Sequence, residues 1–443
     1  MPPALEYTKM KNSGIEWIGA VPSHWNIRTL YQLVSQVKNK NSDLAEQNLL
    51  SLSYGKIKRK DINSTDGLLP ASFDGYNIIE AGDIVLRLTD LQNDHTSLRV
   101  GLATERGIIT SAYITLHPFD IQHSKYLYYL LHAFDIKKGF YGMGSGVRQG
   151  LNYSEVKELR VTMPSPSDVE DIVSFLDTHC TMIDEAIGET KISIEEYRQW
   201  KASIIYETIT NGLDTESATK KTTIAWIDAL PHDWKVDILK RVTISRDGGA
   251  WGDDPANNSR DFICMRIADF DFDKGRFKET EMSQLTIRNY KQSQLDKLTL
   301  RIGDILVEKS GGGEKTPVGR SVLFDKPYPA LFANFMDRLI IDDSIVSPEY
   351  FEYWWRSMYF KAVTTMYIKQ TIGIQNLNLT QLLSTEKIAY PSKEMQAVIV
   401  NRLDKTCKMI DAIIADKGAL VAELESYKQS LIYEVVTGKR KVV

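Results

Sequence analysis

Two stretches of this chain place apolar side chains three or four positions apart with no proline to interrupt them. Asp168 to Thr210 holds a single glycine, Gly188, and Glu394 to Thr437 holds only Gly418. In the first stretch apolar residues fall at 172, 176, 180, 183, 187, 194, 197, 200 and 204. In the second they fall at 403, 407, 410, 414, 421, 424, 427 and 431, with the same steps. Such spacing is the signature of a helix that buries one narrow seam. Each helix would run roughly 64 Å at 1.5 Å per residue, and one narrow seam does not stabilise so long a helix alone. The pattern predicts that the two helices pack as an antiparallel coiled coil. Leu176, Cys180, Ile183, Ile187, Leu403, Cys407, Ile410 and Ile414 form its core, the two cysteines acting as small apolar side chains.

The remaining chain alternates short β-branched and aromatic runs with turn signals, as in NIIEAGDIVLRL (77–88), GIITSAYITLHP (107–118), DFICMRIADF (261–270) and LRIGDILVEK (300–309). Each half adds one aromatic-rich helix candidate with a core-facing side, at 124–134 and 348–363. The Pro-Ser-Pro-Ser run at 164–167 and the polar stretch 211–222 mark boundaries. The predicted class is α+β: two tandem globular domains, each followed by a long helix. The domains cover 1–163 and 217–391; the helical segments cover 164–216 and 392–443.

The halves are copies of one another. IEWIGAVPSHWNIRTL (15–30) recurs as IAWIDALPHDWKVDIL (224–239), 209 positions later; GDIV (82–85) recurs as GDIL (303–306), 221 later. LDTHCTMIDEAI (176–187) recurs as LDKTCKMIDAII (403–414), and KASIIYETIT (201–210) as KQSLIYEVVT (428–437), both 227 later. The second copy therefore carries insertions, all ahead of its closing helix.

Composition and charge narrow the function. The 443 residues are 43% hydrophobic and 25% charged, a globular profile. No apolar run is long enough to span a bilayer, and the N-terminus has no apolar leader. Three scattered cysteines exclude a disulfide framework or a cysteine zinc site and fit a cytoplasmic protein. The net charge of −4 argues against a chain that grips nucleic acid by bulk charge. Residues 168–216 hold 3 basic and 12 acidic side chains, which repel phosphate. The first long helix is thus a spacer or a protein-docking face, and any polyanion contact belongs to the globular halves.

Catalytic signatures fail on inspection. SGGGEKTP (310–317) lacks the glycine a phosphate loop needs before Lys315, and Pro317 would remove a donor from the following helix. The glycines of DGGAWGDDP (247–255) read as a turn. Asp304, Glu308 and Lys309 imitate a metal-nuclease cluster, but acid and lysine are adjacent and point oppositely along a strand. Seven histidines form no metal-binding pair. No metal, cofactor or active site is expected. What remains are matched loops: 86–101 against 307–319, with flanks Val100-Gly101 and Val318-Gly319, and 142–152 against 367–378, ending in Leu151-Asn152 and Leu377-Asn378. They are rich in guanidinium, amine and amide groups, which read base edges in the major groove. KIKRK (56–60) is a solvated basic face.

The WIG-VP-HW opening (17–25), its copy WIDALPHDW (226–234), the two GDI strands, EKSGGGEKTPVGR (308–320) and the two LD--C-MID helices together resemble the specificity subunits of type I restriction-modification enzymes, over essentially the whole chain. The resemblance implies two target-recognition domains on antiparallel helices and no catalysis. It also implies partnership with two adenine-methyltransferase subunits and with restriction subunits that translocate and cut DNA. Two similar but non-identical readers predict an asymmetric, bipartite double-stranded DNA target with an unread gap. The base-reading candidates are Arg87, Asn93, Arg148 and Gln149 in the first half and Lys309, Lys315, Gln370, Gln375 and Asn376 in the second, with Gly146 and Gly312 allowing close approach. Two alternatives compete: a protein scaffold with paired domains on a coiled coil, and a stand-alone DNA-modifying enzyme.

Overall fold

A computed structural model describes residues 7–63, 70, 72–143, 150–214, 218–371 and 373–442. The chain divides into two compact units, Met1–Thr190 with Leu420–Val443, and Lys191–Ala419.

The first unit is built on a four-stranded antiparallel sheet in the order Val34–Gln36, Ile114–Pro118, Ile84–Leu86, Val100–Leu102. The central runs Ile84–Leu86 and Ile114–Leu116 are buried, as continuous apolar strands in the middle of a covered sheet should be. The helix Ser124–Ile136 covers it, burying Tyr126, Leu127, Leu130, Leu131 and Phe134. The second unit repeats this sheet as Thr243–Gly248, Met336–Ile341, Ile305–Glu308, Ser321–Leu323, covered by the helix Pro348–Phe360. The second unit also holds a three-stranded sheet, Ile287–Asn289, Asp261–Met265 and Ala330–Phe332, and the helix Gln292–Leu298.

Two uninterrupted helices, Pro166–Asn211 and Lys393–Val436, contribute to both units. In the first unit the Arg440 guanidinium lies 5.7 Å from the Phe175 ring and Lys428 pairs with Asp184 at 2.7 Å, so the helical segments run antiparallel. In the second, Lys417 lies 5.6 Å from the Tyr197 ring and Lys201 pairs with Asp411 at 2.5 Å, again antiparallel. Leu176, Cys180, Ile183 and Ile187 are buried in the first unit; Leu403, Cys407 and Ile410 are buried in the second, where Ile414 is half-buried.

The duplication extends to individual bonds. Lys201–Asp411 and Lys428–Asp184 are the same pair displaced by 227 in each residue. Tyr126 Oη donates to Val436 O at 3.2 Å and Tyr350 Oη to Ile209 O at 3.5 Å. Tyr129 Oη donates to Asp177 and Tyr353 Oη to Asp404. Tyr433 Oη reaches Trp17 O, and Tyr206 Oη reaches Trp226 O. Each unit therefore takes the end of a long helix that began in the other.

The apolar seam departs from its expected course at Trp200, which is 53% exposed, and the inward positions there are Lys201, Ile205 and Ile209. The cause is geometric. Two successive steps of three, 194 to 197 to 200, carry position 200 about 140° away from position 187 at ~100° per residue. The position facing inward is a lysine, held by an aspartate of the opposing helix.

His132 is buried with its ring displaced to a pKa of about 4, chiefly by burial and then by Lys428. The unfolded chain takes up a proton below pH 6.5 and the folded one only near 4, so this residue removes stability as the pH falls through that window. His132→Leu is expected to abolish that loss, which approaches ~3 kcal/mol at the acid end. Urea denaturation at pH 7 and pH 4.5 checks it: an unchanged acid dependence would refute the assignment.

Candidate nucleic-acid interface

In the second unit a small three-stranded sheet joins the two loops that the sequence singles out. Ser310–Gly311 pairs with Ile374–Leu377, which pairs in turn with Ile368–Thr371. Lys309, Gly312, Lys315, Gln370, Gln375 and Asn376 thus belong to one structure although 61 positions separate Lys315 from Asn376. Their roles differ. Gln375 is buried, and its Oε1 accepts from Val318 N at 3.2 Å, so it holds the loop together. Gly312 has φ +61, and a Cβ there would come within 3.0 Å of that same Oε1; its glycine serves the internal packing of the loop. Asn376 is exposed and accepts from Ser310 Oγ at 2.7 Å, while Gln370 and Lys315 are exposed. Lys309 is 28% exposed and donates to the buried Asp337 at 2.6 Å. Arg246 binds the other oxygen of that carboxylate at 2.5 Å. Two cations on one carboxylate leave a net positive charge at the surface, suited to a phosphate or a guanine edge.

The first unit joins its loops in the same way. Leu151 N donates to Leu88 O at 2.9 Å, and in the second unit Leu377 N donates to Lys309 O at 2.8 Å. The shared Leu-Asn endings have a structural cause: each leucine is buried, and Asn152 and Asn378 cap the helices Tyr153–Val156 and Leu379–Thr385. Arg87 lies 3.8 Å from Asp94 and is partly exposed; Asn93 is exposed and donates to Asp90 at 2.7 Å. Gly146, Arg148 and Gln149 lie outside the described residues.

Residue matching by sequence needs one correction. Val100 stands opposite Leu86, whereas Ser321 stands opposite Val307, the counterpart of Leu86. Val100-Gly101 therefore corresponds to Ser321-Val322 rather than to Val318-Gly319, and Arg99 corresponds to Arg320. Arg87 N donates to Arg99 O and Glu308 N to Arg320 O, both at 2.9 Å. The false match arose because loops of different content end in the same two letters.

These arginines support the loops and were not among the candidates. Arg99 is fully buried; its guanidinium donates to the carbonyls of Arg87 (3.1 Å) and Thr89 (2.8 Å), to that of Asp94, and to Tyr141 Oη (2.9 Å). Hydrogen bonds from Ser97 hold the Asp94 carboxyl well below the usual range, so the loop keeps a fixed anion at its base. Arg320 instead clamps the buried Glu308 at 2.8 and 3.0 Å. A buried arginine is the same letter as a surface one, and its position in the strand ladder is the signal that separates them.

The catalytic imitations are accounted for. Glu308 belongs to Arg320, and Asp304 lies 3.4 Å from Arg338. Residues 313–316 close on themselves, with Gly313 N to Thr316 O at 3.1 Å, and lead into the strand Ser321–Leu323 rather than a helix. A Cβ at Gly249 would stand 2.2 Å from Ala333 O, so that glycine serves close backbone packing. Among the described residues no cluster of side chains is set to hold a metal ion, and no helix is long and apolar enough to cross a membrane.

No protein-family model matches the chain. It is 23% identical over 459 aligned residues to the putative type I restriction enzyme MjaX specificity subunit of Methanocaldococcus jannaschii, covering 99% of both chains. A chain solved in a study of complex assembly and conformational transition of the type I R-M system shares its fold, with TM-score 0.64, 14% identity, and 94% and 98% coverage. The HsdS subunit of Thermoanaerobacter tengcongensis superposes at TM-score 0.44 with 13% identity, covering 94% of this chain and 98% of its own.

Proposed function

We propose that the chain is a type I restriction-modification specificity subunit, the kind of protein it resembles along its whole length, and that its two halves read two different half-sites of one double-stranded DNA target. The observation that supports this is a shared framework with unshared contents. The same interloop hydrogen bond, Leu151 to Leu88 and Leu377 to Lys309, presents different side chains in each half. Identical frames with different reading groups call for an asymmetric bipartite sequence with an unread gap. The protein supplies recognition, not catalysis. Two adenine-methyltransferase subunits and the restriction subunits complete the working complex, and extrusion of the target adenine falls to the methyltransferases.

Methylome sequencing of cells expressing the chain with its methyltransferase subunits tests the reading: methylated adenines should lie in one two-part motif. Exchanging residues 1–163 for another reader should change one half of that motif and leave the other intact. An unchanged motif would favour a scaffold, and DNA modification by the purified chain alone would favour an enzyme.

The long helices enter the same scheme as the frame on which partners dock. Ile183→Pro puts a proline inside the helix Pro166–Asn211 at a buried position and should cost ~3 kcal/mol or more through the lost backbone bond and the ring clash. Methylation at the two-part site should disappear with it. Normal methylation by this variant would rule out a helical frame.

A further inference from the structure

The two recognition frames also differ at a two-residue turn that neither loop comparison includes. In the first unit it is Ser111-Ala112, closed by Tyr113 N donating to Thr110 O at 3.2 Å; in the second it is Asn334-Phe335, closed by Met336 N donating to Ala333 O, also at 3.2 Å. The strand ladders prove the correspondence, because Ile114 stands opposite Leu86 as Asp337 stands opposite Val307. All four turn residues are exposed. The frame thus presents a serine and a methyl group on one side of the duplication, and a carboxamide and a benzyl ring on the other.

The second turn is held rigidly and points nothing inward. The Phe335 carbonyl accepts from Lys309 N at 2.9 Å and Ser310 N at 3.3 Å, which ties the turn to the start of the proposed reading loop. Ala333 N is fixed to Met265 O at 3.0 Å. Yet the Phe335 ring is 48% exposed, and no hydrogen bond among the described residues engages the Asn334 amide. Trp251, itself exposed, joins them with Arg266, Ala268 and Ala333 around a recess of about 480 Å³ with no carboxylate in its lining. Arg288 lies over the Trp251 ring at 4.9 Å. Exposed aromatic rings on a rigid backbone, beside an amide with no partner among the described residues, lack the chemistry of a solvated turn; the neighbouring guanidiniums are held by carboxylates, Arg266 by Asp269 and Arg288 by Asp254.

We propose that Asn334 and Phe335 read one A·T pair of the second half-site in the major groove. The Asn334 amide pairs with adenine N6 and N7, and the Phe335 ring packs on the 5-methyl of the partner thymine. Both groups lie on the same edge of one base pair, and amide and apolar side chains are the types that match them. Adjacent residues of a braced turn meet those edges with little conformational entropy lost on binding. The Ser111-Ala112 counterpart offers neither a carboxamide nor a ring, so this position separates the two halves in what they read. The proposal rests on the DNA-reading function above and assigns it a base pair and two specificity-determining residues.

The test uses the full chain with its methyltransferase subunits. The motif is mapped by methylome sequencing for the native chain and for the double variant Asn334→Ser, Phe335→Ala, which converts the second turn into the first. Methylation rates are then measured on target duplexes in which single thymines of the second half-site are replaced by uracil, a change that removes only the methyl group. One A·T position should lose on the order of tenfold with uracil in the native complex and be indifferent to uracil in the variant. The variant motif should become degenerate at that position while the first half-site stays intact. An unchanged variant motif, or indifference of the native complex to every uracil, would each overturn the assignment, and the uracil readout on the native complex stands even where the variant does not assemble. In those cases the two-part motif survives; a chain that directs methylation to no two-part sequence would remove the functional reading itself, and this assignment with it.

Discussion

Lys201→Ala should destabilise the second unit by ~3 kcal/mol, whereas Lys428→Ala, the same substitution in the duplicate, should cost under ~1 kcal/mol. The pairs are chemically identical and differ in burial. The Lys201 side chain is 3% exposed, bonds Asp411 at 2.5 Å and donates to Asp273 O at 2.6 Å; Lys428 is 23% exposed against an Asp184 that is 40% exposed. Removing one member of a buried pair strands the other charge out of water, at a cost of ~3–5 kcal/mol. A pair open to solvent exchanges its contact for water and is worth ~0–1 kcal/mol. Scanning calorimetry of the two variants separates the cases. If the charge left behind is the cause, Lys201→Met combined with Asp411→Leu should recover most of the loss, because the vacated site then holds two apolar side chains. Equal effects at 201 and 428 would mean that burial does not set the difference.

Arg99→Met should erase recognition in the first half while leaving the second untouched. The buried guanidinium is the common donor to four carbonyls of the loop carrying Arg87 and Asn93, those of Arg87, Thr89, Asp90 and Asp94, and to Tyr141 Oη. Methionine fills much of the volume and replaces none of those donors. The carbonyls of Arg87 and Thr89 then lose their donor, at ~1–3 kcal/mol each before relaxation, while that of Asp94 keeps Tyr141 Oη at 3.0 Å. The loop can recover their hydration only by opening. Methylation of targets matched in both half-sites should fall by ~100-fold or more, an energy of ~2.7 kcal/mol, and mismatches confined to the first half-site should cease to matter. Continued sensitivity to first-half mismatches in Arg99→Met would show that the loop keeps its shape without the arginine. The structural counterpart behaves differently. Arg320→Met strands the buried Glu308 instead of a set of carbonyls, so its damage should appear mainly as lost stability of the second unit.

The legibility of this chain follows the range of the forces involved. Helical seams are local: residues three and four apart share a face whatever else the chain does, so Leu176, Cys180, Ile183 and Leu403, Cys407, Ile410 were readable as buried. The same rule fails at Trp200, where two steps of three drift off the seam and Lys201 turns inward because Asp411, 210 positions away, neutralises it. Among the reading candidates, Gln370 and Asn376 lie on one small sheet with Lys309 at its edge, Lys315 lines a recess with Arg198, Phe272 and Tyr359, and Gln375 and Gly312 are consumed by the packing of the loop itself. An amide that braces a backbone and an amide that faces solvent have the same composition.

Sequence by itself determined that this chain is one frame written twice, that each copy closes with a long helix, and that the copies differ in the loops between shared flanks. Periodicity and self-similarity carry that information because they need no knowledge of which distant segments meet. Only the tertiary structure decided that Arg99 corresponds to Arg320, that each long helix finishes in the unit it did not begin in, and that the turn at Asn334-Phe335 lies beside Lys309. Those facts depend on strand register and on the burial of charges against partners remote in the chain, and both are settled when the segments pack.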